Sequence, residues 1–275
     1  VRPVDIVEAL AAPLPAMMIG HLLGFPDELW PALHRWSEET IALGGGPRYA
    51  NEAGMKAVFE FVEACIELYE QKRESPGDDI MSAWIEAERS GLKDGTEFGL
   101  DQIISDCLLL LDGGAETTRT VIARSLVNLA KDPNQWELLK SGVNIDIAVE
   151  EFIRYVTPIH NMCRVATADY EIGGEVIRRG QQVVLMYSSA NRDPSQFIEP
   201  EKFDVTRDPN HHIAFGFGTH FCLGAALARL EIKIFFEHLI NRVRKFSIAS
   251  PPVEMPNSFV YGLSSCSMFL EAENI

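Results

Sequence analysis

The sequence predicts a mainly α-helical fold with a minor β portion toward its C-terminal half. Up to Val156 apolar residues recur at helical spacing between Pro and Gly breaks. After Val156 short β-type runs take over, punctuated by Gly pairs and a proline-studded meander. Apolar residues make up 47% and charged ones 23% of 275 residues, close to globular norms, which excludes disordered and collagen-like chains.

The elements follow in order. Helices are expected at Val4–Ala12, Pro15–Leu23, Asp27–Leu43 and Asn51–Arg73, the last two parted by Gly44-Gly45-Gly46-Pro47. The aspartates of Pro76-Gly77-Asp78-Asp79 suit the start of a helix over Ile80–Arg89. Asp94-Gly95-Thr96 reads as a turn. From there no proline appears until Asp132-Pro133, which predicts one helix of ~50 Å ending near Ala130. Its run Cys107-Leu108-Leu109-Leu110-Leu111 is apolar on every side, so it is expected to cross a core. A helix over Asn144–Val156 precedes strands at Arg164–Thr167, Tyr170–Ile172, Val176–Ile177 and Gln182–Tyr187. Asn191 to Asn210 reads as a meander, Leu223–Val243 as a helix, and the tail as two or three strands.

Charge and cysteine usage narrow the function. With 24 Lys plus Arg against 40 Asp plus Glu, the net charge is −16, which disfavours nucleic acid and anionic membranes. The five cysteines are scattered, odd in number and without a Cys-x-x-Cys pair, so a reducing cytoplasm fits better than a disulfide scaffold or zinc ribbon. The uncharged stretch Ala9 to Pro26 is broken by Pro13, Pro15 and Gly20 and predicts buried helices rather than a span. The chain opens Val-Arg-Pro, without Met or a signal pattern, and reads as a fragment.

One decapeptide concentrates chemistry: Phe215-Gly216-Phe217-Gly218-Thr219-His220-Phe221-Cys222-Leu223-Gly224. Its glycines let the backbone turn tightly and approach something flat. Cys222 stands at the start of an apolar helix, where N–H groups favour a thiolate, one mode of haem-iron ligation. The plain alternative is a buried structural cysteine beside an ordinary turn. A second motif is Gly113-Gly114 inside the long helix. Two such glycines cost ~1 kcal/mol each against Ala, so something should require a bare backbone there. Thr117 can hydrogen-bond the Gly113 carbonyl, four residues back, or release it toward a ligand. Glu116 is either a proton carrier or the partner of Arg119 at i,i+3. Asp112 shares a helical face with Glu116 and is expected to titrate high, to meet a polar group, or to be solvated. A third motif, Glu151-Phe152-Ile153-Arg154, places an acid and a base at i and i+3 for a bidentate pair.

Phe215–Gly224 resembles the haem-binding loop of cytochromes P450. The Gly113–Thr118 and Glu151–Arg154 stretches resemble that family's oxygen-binding groove and its structural Glu–Arg pair, in the family's order. The resemblance implies a P450 fold over residues 1–275, a single domain lacking the family's N-terminal strands and lid. It also implies haem b, with iron held by Cys222, and Phe215, Gly216, Gly224, Arg164 and His220 around the cofactor, the last two on its propionates. Glu116 and Thr117 would deliver protons. Leu109, Asp112, Gly113, Ile159 and Val260 would line the substrate pocket. The family completes its Glu–Arg pair with a further basic residue; here that position is Lys202, which cannot fork like Arg, and Arg207 is the candidate substitute.

The implied activity is haem-thiolate monooxygenation of an apolar substrate, with electrons from a ferredoxin-type carrier. Gly113–Arg119, Asn161–Arg164 and Ala214–Cys222 most resemble actinobacterial members that oxidise the side chain of cholesterol-type steroids. Two rivals stand beside this reading: a non-catalytic truncated remnant that binds haem poorly, and a peroxygenase. The Glu116-Thr117 pair argues against the second, since peroxygenase members typically lack it.

Overall fold

The computed structural model describes residues 2–91 and 98–273; the turn predicted at Asp94-Gly95-Thr96 lies outside them. Local chemistry sets most helix ends. Helix α1 (Pro13–Leu23) begins on a proline and ends at Gly24, whose φ of 95° allows its N–H to reach the carbonyls of Gly20 and His21. Helix α2 (Trp30–Gly44) packs on it where Gly20 has no side chain; a Cβ there would lie 2.6 Å from Leu33 Cδ1. Asn51 and Asp79 cap α3 (Glu52–Glu74) and α4 (Ile80–Ser90), accepting the N–H groups of Gly54 and Ser82 at 2.8 Å.

The predicted long helix is present but changes pitch. Helix α5 (Leu100–Leu111) passes into a π turn at Asp112–Glu116 and then into α6 (Thr117–Lys131). Two apolar clusters flank this change. The first joins α1 to α5 around Leu23, Phe61, Met81, Ile103 and Leu111. The second joins α6 to the C-terminal elements around Ile122, Phe152, Phe236 and Met268. The leucine run is therefore not buried all round: Cys107 and Leu111 are fully enclosed, but Leu109 is 69% exposed.

Asp132-Pro133 ends one helix and starts another, α7 (Pro133–Lys140). Asp132 caps it by accepting the Asn134 N–H, and Pro133 supplies a first position that needs no N–H. Helix α8 (Ile145–Val156) follows, capped by Asn144. The helix expected over Val4–Ala12 is instead a strand β1 (Val4–Asp5) followed by a π turn at Val7–Ala11. Asp5 accepts the N–H groups of both Val7 and Cys266, so tertiary pairing overrides the helical spacing.

The β portion is in small antiparallel pieces. Strand β2 (Asn161–Val165) pairs with β5 (Gln182–Met186), and β3 (Tyr170–Ile172) with β4 (Glu175–Ile177) through Gly173-Gly174, both at positive φ. A short helix α9 (Tyr187–Ala190) opens the meander, and α10 (Ala225–Arg242) follows the glycine loop. The tail holds four strands, β6 (Val243–Ile248), β7 (Val253–Glu254), β8 (Leu263–Ser265) and β9 (Ser267–Ala272), one more than expected. Strand β9 lies between β1 and β6, and β7 pairs with β8. Among the described residues no helix is long and apolar enough to cross a membrane.

Candidate active site

The glycine loop is closed by its own backbone. Cys222 N–H donates to the Phe215 carbonyl at 2.9 Å, and Phe221 N–H to Gly218 at 3.0 Å around a short 3-10 turn, Gly218–His220. Gly216 and Gly218 hold φ of 75° and 72°, a region that L side chains rarely adopt. Cys222 is half-buried, three residues before α10. Burial pushes its thiol up, while the Gly224 N–H and the Arg229 cation pull it down. The N–H assistance expected from the sequence is present, and desolvation outweighs it. Phe217 and Leu223 in the same loop are almost wholly exposed, and His220 is exposed.

A support beneath the loop was not legible in the sequence. Arg229 in α10 donates from Nε and Nη2 to Glu150 at 2.6 and 2.9 Å, and its guanidinium lies 4.5 Å from the Phe215 ring. His212 Nε2 is 3.1 Å from the same carboxylate. Although burial raises it, hydrogen bonds from His212 and Arg229 hold the Glu150 carboxyl at about 2. The loop is thus tied through one guanidinium to α8.

In the π turn Thr117 Oγ1 donates to the Gly113 carbonyl at 2.6 Å, the i−4 bond the sequence predicts. Gly113 is exposed, and a Cβ there would meet nothing within 4 Å. Glu116 is sealed. Arg119 Nη2 donates to its Oε1 at 2.6 Å, while Oε2 has no partner among the described residues. Burial pushes the Glu116 carboxyl up against the opposing pull of Arg119. The ion-pair reading of Glu116 is therefore realised on one oxygen, and the other is left open. Asp112 accepts the Thr40 hydroxyl at 2.7 Å and is partly buried, so it meets a polar group rather than standing free on the surface. Burial pushes it up to about 7, against the Thr40 bond and with help from Glu116.

Glu151 and Arg154 are wholly buried, which excludes a surface ion pair. Arg154 forks onto Glu151 at 2.7 and 2.9 Å and also donates to the carbonyls of Asn191, Pro200 and Lys202. Arg207 Nε donates to Glu151 at 3.1 Å, so Arg207 supplies the third contact. Lys202 turns its ammonium to Asp204 instead.

The remaining predicted residues are more dispersed. Ile159 and Val260 meet as an isolated antiparallel bridge. Arg164 is exposed on β2, donating to the carbonyl of Cys163. A cavity of about 330 Å³ lies between α2 and the β7–β8 hairpin, lined by Glu38, Tyr49, Asn51 and Met255 among others. Leu109, Ile159 and Val260 are not in its wall.

Residues 47–266 match the cytochrome P450 family. The chain belongs to that family. It is 37% identical over 270 residues to a steroid C26-monooxygenase of Mycobacterium tuberculosis, covering 95% of this chain and 71% of that protein. It is 36% identical over 269 residues to a linalool 8-monooxygenase of Pseudomonas putida, covering 97% of this chain and 65% of the relative. A Bacillus megaterium P450 in complex with testosterone superposes with a TM-score of 0.85 at 34% identity, over 100% of this chain and 74% of that one. The chain thus spans about two thirds of the length of its curated relatives. Haem is the cofactor of P450s, and this donor set fits it: one half-buried thiol, a loop whose Gly218 and Gly224 present bare backbone to open space, and exposed apolar side chains at Phe217, Phe221 and Leu223 of the same loop.

Proposed function

We propose that this P450 chain is the larger part of a haem-thiolate monooxygenase acting on an apolar isoprenoid-type substrate, a terpenoid or a steroid side chain. Electrons would come from a ferredoxin-type carrier in the cytoplasm. The observation that carries the reading is that one chain holds both a loop-held Cys222 thiol and a π turn with a sealed carboxyl, followed directly by the Thr117 hydroxyl. Haem held by Cys222, with Phe215, Gly216 and Gly224 against it and Arg164 and His220 on its propionates, would supply oxygen activation.

The chain's own residues account for the rest. Gly113 leaves the exposed helix face bare for a ligand. Thr117 Oγ1, parked on the Gly113 carbonyl, can turn outward to donate a proton and accept its replacement. Glu116 holds that replacement: its free Oε2 is the atom that takes and gives the proton, while Arg119 keeps Oε1 in place. Leu109, Ile159 and Val260 would offer apolar contacts, with Asp112 the polar exception. The substrate class rests on relatives named for linalool and for a steroid.

A full-length enzyme should show a reduced carbon-monoxide complex with the thiolate-type absorption, lost in Cys222→Ser, and a low-to-high-spin change with terpenoids or sterols. A spectrum perturbed only by small polar compounds would refute the substrate class. The exposed Val165, Val184 and Met186 on β2 and β5 favour a second reading for the isolated chain, one of weak haem binding and aggregation. Tight, stoichiometric haem in this chain alone would overturn it.

A further inference from the structure

Glu116 carries a difficulty. It is fully enclosed, so a proton it gives up cannot be replaced directly from solvent. Its partner Arg119 points to the supply. The guanidinium holds Glu116 Oε1 on Nη2 at 2.6 Å and, at its other end, Glu38 Oε1 on Nη1 at 3.4 Å. Glu38 belongs to α2, and its side chain is 32% exposed where that of Glu116 is 0%. It lines the cavity of about 330 Å³ together with Tyr49, Asn51, Met255 and Ser264. The same cavity wall reaches Glu116 by a second route. A Cβ built on Gly262 would lie 3.0 Å from Met255 Sδ and 3.2 Å from Glu116 Oε1, so the cavity-lining Met255 and Glu116 both approach the bare side of this glycine.

We propose that Glu38 loads Glu116 with protons taken from water in this cavity, with Arg119 as the pivot shared by the two carboxylates. The inference rests on the monooxygenase reading, which gives Glu116 a proton to replace. The step balances without electrons. The Glu38 carboxyl loses its proton and becomes a carboxylate, and Glu116 accepts that proton on the free Oε2. Arg119 stays cationic and strengthens its bond to Glu38. A hydronium ion in the cavity then reprotonates Glu38. The charged groups around Glu116 are Arg119, Glu38, His34 and Asp112. Around Glu38 they are Arg119, Glu8 and His34, with Glu39 on the same cavity wall. Glu8, His34 and Glu38 lie within 4.8 Å of one another, as metal ligands would. The guanidinium already on Glu38 makes a second cation there unfavourable, and a proton port is the better fit.

The test is Glu38→Gln in the full-length enzyme with a surrogate reductase. Oxygen consumption should fall about a hundredfold, the lower end of the range for a lost proton-transfer group, with a larger solvent deuterium isotope effect. Formate or acetate, small enough to enter the cavity, should restore the rate, and Glu38→Asp should keep most of it. A purely structural loss would show neither the isotope effect nor the rescue. The protonated-carboxyl infrared band of Glu116, assigned by its absence in Glu116→Gln, should titrate at lower pH in Glu38→Gln, because a neighbouring negative charge is gone. An unchanged rate and isotope effect in Glu38→Gln would overturn the proposal. If the wild-type enzyme consumes no oxygen with any carrier, the monooxygenase reading falls. The infrared titration then decides the link between the two carboxyls, and an unmoved band would overturn it.

Discussion

The two glycines of the π turn should respond oppositely to the same methyl group. A Cβ on Gly113 would meet nothing within 4 Å, whereas one on Gly114 would sit 2.2 Å from Ile19 Cδ1 and 2.5 Å from Cγ1 in α1. Alanine is favoured over glycine by about 1 kcal/mol in a helical backbone. Gly113→Ala should therefore stabilise the chain by up to about 1 kcal/mol. In Gly114→Ala the same gain is set against overpacking of about 1–3 kcal/mol, because Ile19 is itself buried. The net loss should be about 1 kcal/mol, so the adjacent sites differ by about 2 kcal/mol. Equilibrium urea unfolding of the full-length protein measures both. Ile19→Ala, costly alone at about 2–5 kcal/mol, should cost less in the Gly114→Ala background, where the new methyl fills part of the space. A coupling near 1 kcal/mol is expected. Equal effects at the two glycines, or strict additivity with Ile19→Ala, would refute the packing argument. Gly113→Ala should also weaken substrate binding about tenfold in spectral titration, since its methyl stands on the bare face proposed to meet the ligand.

Three further outcomes follow from the same geometry. Arg154→Ala removes a guanidinium that makes five hydrogen bonds and strands a buried Glu151, so unfolding stability should drop by about 3–5 kcal/mol; a urea midpoint within experimental error of the parent would contradict this. Asp112 is raised from 3.8 to about 7 in the folded chain, so its contribution is full below pH 3.8 and is lost as pH rises through about 7. Asp112→Asn should flatten that decline and raise stability at pH 8 by at most about 4 kcal/mol, and an unaltered pH profile of unfolding would refute the assignment. Thr117→Ala should leave haem content and NAD(P)H consumption in place while product falls and hydrogen peroxide rises; unchanged coupling would move attention to Thr118.

What the sequence made legible shares a physical trait: it is local along the chain. The loop around Cys222 is readable because tight turns demand glycine at fixed offsets, and the Thr117–Gly113 bond because helical geometry places a hydroxyl over the carbonyl four residues back. Glu151–Arg154 is another such pair, and even the Arg207 substitution lies close by in the meander. The missed features are long-range or depend on pitch. Glu150, His212 and Arg229 come from three elements with no common spacing. The exposure of Leu109 depends on what packs against α5, not on its apolar neighbours. The π turn is invisible because a shift from i+4 to i+5 bonding leaves the residue pattern helical. Helix α7 was hidden because Asp132-Pro133 serves equally as a stop and as a cap. Glu38 sits among ordinary acidic residues of an amphipathic helix, and only the tertiary approach of α2 to α6 gives it a partner in Arg119.

The stretch Asp112 to Arg119 breaks several rules of stability at once. It holds a π turn, two glycines, two carboxyls on one face that burial pushes upward, and two buried atoms, Glu116 Oε2 and Arg119 Nε, without partners. Apolar residues of similar size would generally be no less stable than such a buried pair. The Glu151 cluster is also buried and charged, yet its ion pair is saturated: the carboxylate accepts from Arg154, Arg207, Asp204 and Asn210. The two sites are thus separable by one criterion. A saturated ion pair fixes the meander that leads to the Cys222 loop and has no free lone pair with which to move a proton. The unsaturated pair in the distal helix does little for the fold that an apolar pair could not do, and an open Oε2 one residue before a releasable hydroxyl suits proton delivery. Sites where local stability is given up without structural return are where chemistry is expected, and in this chain that site includes the exposed Gly113.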